Sequence, residues 1–310
     1  MTIKYLIKEF LKWLEYKRVN NQDLGAPLVF QCKGGAPGLF SYVVQSLGFV
    51  RYAHKNNRIP IIDLQSFVNT YLAEDYVGKL NAWEYFFQQP CGTSLTDIDM
   101  SKVEVFDTMD PSRQGLLKMP WWNWECLVEG SITNKMWRAY AHKYIKLSDN
   151  ALKVIDHTYN ELFSPCDKVL GIQCRGTDYT RHKPKDHPVQ PSPEMVIEKA
   201  EQIIKEKGFN KIFLATEDGC VFRIFKTHFG DILVSSDKEY TDYDGNAWIN
   251  AILPHEEQAK LDHGMAYLIS MALLTRCHGF LAGRTSGSVG VMLLSKGFEY
   301  SYFFDLGFYN

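Results

Sequence analysis

The hydrophobic pattern in the first part of the chain alternates between short apolar runs and amphipathic stretches. Residues 27–32 form an apolar run typical of a buried strand, and a glycine-rich turn at 33–38 follows it. Residues 40–54 have the apolar spacing of a helix, and residues 59–63 form a second apolar run. A strand, a tight turn, a helix and a second strand predict a β-loop-α-β unit, the building block of a parallel sheet.

The same alternation is clearer in the second half of the chain. Four apolar runs predict strands at 168–174, 211–215, 232–234 and 279–282, and amphipathic stretches predict helices at 192–207, 221–229 and 257–276. The loop 283–288 is expected to begin a further helix. Strands that alternate with crossover helices indicate a second parallel sheet.

A break in the pattern separates the two halves. The helical stretch 149–159 is followed by Ser164 and Pro165, and proline is a common end of regular structure. The chain of 310 residues is long enough for two domains. We therefore predict an α/β protein with domains at 1–163 and 164–310.

Residues 3–17 predict an amphipathic helix. Ile3, Leu6, Phe10 and Leu14 follow the helical spacing, while lysines occupy another face. A helix packed on its own domain is the favoured interpretation. A helix lying on a membrane surface, and so a peripheral membrane contact, is the alternative.

Two aromatic clusters stand out in the region 70–160, which is otherwise hard to interpret. The cluster at 81–87 is expected to be core. The cluster at 120–124 is left open between core packing and stacking on a carbohydrate ring.

Composition and charge indicate which partners and which cell compartment to expect. The net charge of −2 argues against nucleic acid as a partner, because no basic excess could neutralise phosphates along a strand. Seven irregularly spaced cysteines without a CxxC pair predict free thiols in a reducing compartment. The first residues lack the apolar core of a signal peptide, and the expected location is the cytoplasm.

Polar side chains gather where three of the second-half strands end. In open parallel sheets, ligands bind beyond the carboxyl ends of the strands. A helix start with hydroxyls and free N–H groups is an anion site, and arginine offers a planar fork to phosphate. The predicted diphosphate and nucleoside contacts at these strand ends are Arg175, Asp178, Thr216, Glu217, Asp218, Arg284, Thr285, Ser286 and Ser288. The glycine-rich turn of the first half adds Gly34, Gly35 and Gly38, where the backbone can approach a ligand closely.

A metal site is not expected. The nine histidines form no HxH, HxxxH or HExxH pattern. Two DxD pairs, Asp97 with Asp99 and Asp242 with Asp244, are interpreted as structural, because neither follows a strong apolar strand.

Three segments together resemble the superfamily of α1,6- and protein O-fucosyltransferases, which includes the bacterial nodulation fucosyltransferases. Residues 173–178, Gln-Cys-Arg-Gly-Thr-Asp, resemble the family's His-x-Arg-Arg-x-Asp motif, and His187-Pro188 follows at a similar spacing. Residues 213–218 and 273–286 are similar to the second and third motifs, and the turn at 34–41 is similar in place to a glycine-rich loop that faces the donor. Gln173 stands where the family has His, and Gly176 where it has a second Arg.

The resemblance implies a GT-B architecture, in which two Rossmann-like domains with parallel sheets face a cleft. It also implies an inverting, metal-independent transfer of a sugar, fucose first, from a GDP-sugar to a glycan. The GDP-sugar is a substrate, and no cofactor is implied. By the resemblance, Arg175 would hold the β-phosphate, Asp218 would lie near the guanine or ribose, and Thr285 and Ser286 near the phosphates.

Several points stay open. Asp178 could orient Arg175, and the acceptor's base could be Asp186, His182 or His187, with Asp186 preferred. The acceptor could be a glycan or a lipid-linked glycan in surface polysaccharide synthesis. Alternatives are a GT-B-like transferase of another group, such as pyruvyl, and a non-catalytic nucleotide-sugar binding protein.

Overall fold

The computed structural model describes residues 3–21, 23–35, 37–121, 123–176, 178–236 and 256–310. By its packing the chain divides into two compact units. The described residues of Met1–Leu152 and Pro254–Met265 form the first unit, and those of Lys153–Leu253 and Ala266–Asn310 form the second.

The first unit contains a three-stranded parallel sheet in the order β2-β1-β3. In chain order its elements are α1 (Ile3–Arg18), β1 (Pro27–Gln31), α2 (Leu39–Lys55), β2 (Ile59–Asp63), α3 (Ala82–Phe86), β3 (Glu104–Asp107), α4 (Trp124–Leu127) and α5 (Ile132–Tyr144). On the central strand, Val29 pairs with Ile61 on one side and Val105 on the other. Leu28, Val29 and Phe30 are buried, as expected for a parallel strand that is covered on both faces.

The second unit contains a five-stranded parallel sheet in the order β6-β5-β4-β7-β8. Its elements are α6 (Asp149–Leu162), β4 (Val169–Gln173), α7 (Asp178–His182), α8 (Pro193–Lys207), β5 (Lys211–Ala215), α9 (Gly219–Phe229), β6 (Leu233–Val234), α10 (Glu257–Leu274), β7 (Gly279–Ala282), α11 (Ser286–Leu294) and β8 (Tyr300–Phe303). Strand β4 lies between β5 and β7, so Gln173 pairs with Ala215 and with Ala282. The carboxyl ends of these three strands therefore lie side by side.

The division into units differs in detail from the predicted domains 1–163 and 164–310. Helix α6 runs from one unit into the other at Leu152 and Lys153, and α10 does so at Met265 and Ala266. The boundary between the two units therefore lies within these helices, whereas the turn at Ser164 and Pro165 only follows the end of α6. The predicted cleft between the two sheets stays a prediction.

Local sequence signals explain the clearest helix. Helix α8 begins after Ser192, whose hydroxyl accepts a hydrogen bond from the backbone N–H of Met195 at 3.4 Å, and has Pro193 at its first position. Gly208 ends the helix with φ 70°, a left-handed conformation that glycine adopts at low cost.

The first aromatic cluster is core, as predicted. Trp83, Phe86 and Phe87 are buried. In the second cluster, Trp121 is half-buried and Trp124 is exposed, while Trp122 lies outside the described residues. All seven cysteines are free thiols, and four of them are buried. Across the described residues, none of the helices combines the length and apolar content needed to cross a bilayer.

Candidate functional site

The polar side chains at the ends of β4 and β5 meet as the sequence predicted for adjacent strands. Arg175 follows β4, and its Nε lies 3.4 Å from the Glu217 carboxylate, which follows β5. Each of the two side chains keeps between a quarter and a third of its surface exposed. The guanidinium is thus oriented by a carboxylate and still open to a ligand anion.

Gly176 is required by the close approach of two segments. A Cβ atom there would lie 2.4 Å from Cγ2 of Val221 and 2.9 Å from Oδ2 of Asp218. The chain after β4 therefore passes directly against the first turn of α9. This contact explains a glycine at the position where the similar motif carries arginine.

Asp218 caps helix α9. Its Oδ1 accepts hydrogen bonds from the backbone N–H groups of Cys220 at 2.7 Å and Val221 at 3.2 Å, and the residue is buried. The hydroxyl of Thr216 accepts a hydrogen bond from the Asp218 N–H at 3.2 Å. Both residues thus have structural partners, and their predicted contacts with the nucleoside stay predictions.

The start of α11 is tied to the end of β4. Thr285 accepts a hydrogen bond from the Ser288 N–H at 3.0 Å, and its hydroxyl donates to Oε1 of Gln173 at 3.2 Å. The Ser288 hydroxyl is fully buried and accepts from the Thr285 N–H at 2.8 Å. Ser286 is half-buried, whereas Thr285 and Ser288 are buried. The capping box thus fixes a helix N-terminus, a favourable place for an anion, beside Gln173.

Tyr267 is a site residue that the sequence analysis missed. A Cβ on Gly287 would lie 2.9 Å from the Tyr267 hydroxyl and 2.5 Å from Nε2 of Gln173. Burial raises the pKa of Tyr267 to about 12, Arg175 opposes the rise and Glu217 adds to it. The phenol is therefore a neutral hydrogen-bonding group in the same electrostatic environment as the ion pair.

Arg284 contacts two residues that follow β8. Its guanidinium lies 2.8 Å from the Asp305 carboxylate and 5.1 Å from the centre of the Phe308 ring, and the residue is buried. Its carbonyl accepts a hydrogen bond from Nε2 of Gln190 at 3.0 Å. These contacts give Arg284 a structural role, and its predicted contact with a diphosphate stays a prediction.

The loop that carries the predicted bases is joined to the same terminal segment. The Asp186 N–H donates to the Tyr309 carbonyl at 3.0 Å, and the Tyr309 N–H donates to the His187 carbonyl at 2.9 Å. Asp186 is exposed and has φ 61°. Burial lowers the pKa of His187, Asp186 opposes the change and Arg175 adds to it. His187 is thus neutral near pH 7, and the positive charge of Arg175 contributes to its lowered pKa.

Asp178 begins α7, but its side chain lies outside the described part of the structure, so its predicted role in orienting Arg175 stays a prediction.

The glycine-rich turn of the first unit is built as a tight connection between β1 and α2. Gly34 and Gly35 have φ 93° and 66°, which few other residues adopt without strain. The Lys33 ammonium lies 2.7 Å from the Asp107 carboxylate, and the Thr108 hydroxyl bonds both the N–H and the carbonyl of Lys33. Gly38 precedes α2, and its carbonyl accepts hydrogen bonds from the N–H groups of Ser41 at 2.8 Å and Tyr42 at 3.2 Å. Its predicted contact with a ligand stays a prediction.

The described residues contain no cluster of three His, Cys, Asp or Glu side chains suited to a metal ion. Asp97 and Asp99 cap two short turns, in agreement with their structural interpretation. Asp242 and Asp244 lie outside the described residues.

Comparison with solved structures identifies the fold. The chain is similar to NodZ α-1,6-fucosyltransferase soaked with GDP-fucose, with a TM-score of 0.51 and 18% identity over 87% of this chain and 93% of that one. It matches the fucosyltransferase NodZ from Bradyrhizobium equally well, over 88% and 94% of the two chains. It is also similar to POFUT1 in complex with GDP, with a TM-score of 0.54 and 12% identity over 91% of this chain and 99% of that one.

Comparison of the sequence with protein-family models and with curated proteins gives no match. The similarity to solved structures is thus one of fold. The chain is an α/β protein of the GT-B-like class, as predicted.

Proposed function

We propose that this protein is a glycosyltransferase that uses a GDP-sugar, with GDP-fucose as the first donor to test. The observation that carries the proposal is the Arg175–Glu217 ion pair at the end of β4, beside the start of α11. The structures that share the fold include NodZ soaked with GDP-fucose and POFUT1 in complex with GDP. In this chain the motif residues lie at the ends of β4 and β5 and at the start of α11, where a parallel sheet binds its ligands, which supports a nucleotide-sugar donor.

The reaction requires the sugar–phosphate bond to break as a new bond forms to the acceptor oxygen. Negative charge then develops on the leaving diphosphate. Arg175 would stabilise that charge with its guanidinium, and the N–H groups at the start of α11 would contribute a partial positive charge. Glu217 would keep the guanidinium in place. We propose that these groups suffice without a divalent metal.

Attack by the acceptor from the face opposite the diphosphate would invert the anomeric centre. The acceptor hydroxyl must lose its proton to a base. The sequence favours Asp186 as this base. We propose His187 instead, because burial lowers its pKa and leaves the imidazole neutral near pH 7, the form that can accept a proton. Loss of activity in His187→Gln, with retention in Asp186→Asn, is the result this assignment requires.

The acceptor is proposed to be a glycan or lipid-linked glycan of surface polysaccharide synthesis. A panel of glycan acceptors incubated with GDP-fucose tests this step through release of GDP.

Binding and turnover together test the function as a whole. Titration calorimetry with GDP, UDP, ADP and CMP should show the tightest binding for GDP. Release of GDP that depends on an acceptor distinguishes a transferase from a protein that only binds the nucleotide sugar. Tighter binding of UDP than of GDP would contradict the proposed donor.

A further inference from the structure

Helix α1 packs on its unit through its charged face. The Lys12 ammonium lies 2.7 Å from the Glu125 carboxylate and 2.6 Å from the Thr133 hydroxyl. On the next turn, the Glu15 carboxylate accepts two hydrogen bonds from Arg51, at 2.6 and 2.9 Å, and pairs with Lys55. Burial alone would raise the pKa of Glu15, yet these ion pairs hold it below its ordinary value. This network fixes which face of the helix is turned inward.

The apolar face of α1 is consequently turned to the solvent. This is the reverse of an ordinary surface helix, which buries its apolar stripe against the core. Helix α1 has no buried residue. The outward apolar side chains are between 44% and 77% exposed: Ile3, Leu6, Ile7, Phe10, Leu11 and Trp13. We call these six residues the α1 face.

The charges around the α1 face are positive. Lys4, Lys8, Lys17 and Arg18 are exposed, whereas the two acidic residues of the helix, Glu9 and Glu15, are engaged in ion pairs with basic side chains. The ammonium of Lys17 lies 5.7 Å from the ring centre of Trp13. A cation held over an aromatic ring at the border of an apolar stripe is typical of side chains that extend toward lipid headgroups.

We propose that α1 is a docking helix that lies on an anionic lipid surface, with the α1 face among the acyl chains. Anionic headgroups complement the four cations, and one apolar helix face of this size is suited to shallow insertion. A second copy of the chain is a poorer occupant, since two α1 faces in contact would bring eight like charges together. The proposal does not rest on transferase activity.

Flotation of the full chain with lipid vesicles tests the proposal. One set of vesicles is pure phosphatidylcholine and the other contains phosphatidylglycerol as well. The wild type should float with the anionic vesicles and bind the neutral ones at least tenfold less. The double variant Leu6→Glu/Phe10→Glu should lose at least tenfold of the anionic binding. The matched control is Leu116→Glu, which alters a similarly exposed leucine of the same unit and should bind like the wild type.

A second variant distinguishes a loss of vesicle binding from a loss of the fold. Lys4→Gln/Lys17→Gln changes only exposed cations, so its melting temperature should equal that of the wild type while its anionic binding falls severalfold. Equal vesicle binding by the wild type and Leu6→Glu/Phe10→Glu overturns the proposal. So does a failure of the wild type to float. A dimer in solution that Leu6→Glu/Phe10→Glu dissolves, without vesicle binding by the wild type, assigns the α1 face to a second copy instead.

Discussion

Two glycines, which have no side chain, allow close packing around the strand end that carries Arg175. Gly176 leaves room for Val221, and Gly287 leaves room for the carboxamide of Gln173. Both glycines let the backbone of one segment approach the helix start of another, and both lie next to proposed ligand groups. At this scale the sequence predicts that Arg175 and Glu217 lie at the ends of strands, whereas the reason for each glycine becomes visible only from its neighbours.

Gly176→Ala should destabilise the fold by about 1–3 kcal/mol, because the new methyl group would overlap Val221. Thermal unfolding measures the loss. Val221 is buried, so Val221→Ala also costs stability, but the loss in Gly176→Ala/Val221→Ala should be smaller than the sum of the two single losses, since the overlapping Cγ2 is removed. Gly208→Ala is the control: nothing lies within 4 Å of its Cβ, so its loss should add to that of Val221→Ala. Equal stability of Gly176→Ala and the wild type would show that the contact is not tight.

Arg175→Ala should lower kcat/KM for transfer from GDP-fucose by about 100-fold or more, as expected when a charged group that stabilises the transition state is lost. Arg175→Lys should recover little, since an ammonium cannot replace the planar fork. Arg276→Ala is the matched control, because its guanidinium pairs with Asp156 outside the strand-end cluster. Wild-type turnover by Arg175→Ala would remove Arg175 from the mechanism.

At the scale of elements, the sequence predicts those parts whose pattern is strong and local. Strands β1, β2, β4, β5 and β7 are apolar runs and were predicted within one or two residues. Strand β3 was missed because Glu104 and Asp107 bound a run of two apolar residues, and β8 because three of its four residues are only half-buried. Helix α7, of five residues, lies between the strand predicted at 168–174 and the helix predicted at 192–207, where the sequence predicts no regular element.

The residues of the candidate site also divide into those that a local pattern predicts and those whose position depends on packing. Arg175, Glu217 and Thr285 could be predicted, since strand ends of a parallel sheet mark a ligand edge. Tyr267 could not, because a tyrosine within the apolar stretch of α10 has the pattern of a core residue. Its position beside Arg175 depends on how α10 packs, which no local pattern encodes.

The capping box of α11 should couple stability to ligand binding. Thr285→Val removes the hydroxyl that caps the helix and bonds Gln173, and should cost about 1 kcal/mol of stability while weakening GDP binding. Ser192→Ala removes the cap of α8 and should cost a similar amount without changing the dissociation constant of GDP. Thermal unfolding and calorimetry on the two variants check this. Equal effects on GDP binding would argue against an anion at the start of α11.

At the scale of the whole molecule, two histidines that lose contact with solvent on folding make the free energy of unfolding depend on pH. Burial lowers the pKa of His54, and the Lys143 ammonium adds to this, against the opposing charge of Glu15. The pKa of His187 is lowered as well. As the pH falls below about 6.5, the unfolded chain binds protons at these positions before the folded chain does. The free energy of unfolding should therefore decrease.

The variant His54→Gln/His187→Gln should show a weaker decrease in stability between pH 7 and pH 5 than the wild type. Urea unfolding at a series of pH values measures the slope. His157→Gln, at an exposed position, is the control and should follow the wild type. A slope that the double variant leaves unchanged would assign the pH dependence to carboxylates instead.

Charge on the leaving diphosphate must be balanced somewhere in the molecule, and two arrangements are open to a glycosyltransferase. A divalent ion held by carboxylates is one of them, and a fixed arginine beside a helix N-terminus is the other. Arg175 and the start of α11 correspond to the second arrangement, while the carboxylates of Asp97 and Asp99 bond the backbone of two short turns. We therefore expect the rate of transfer from GDP-fucose to stay within about twofold in excess EDTA, since the proposed electrostatic stabilisation needs no ion.

EDTA saturated with calcium controls for effects of the chelator itself. The variant Asp242→Asn/Asp244→Asn should also keep its activity, because these carboxylates are interpreted as structural. Complete loss of turnover in EDTA, restored by manganese or magnesium, would instead place a metal ion at the diphosphate and require a different set of ligands.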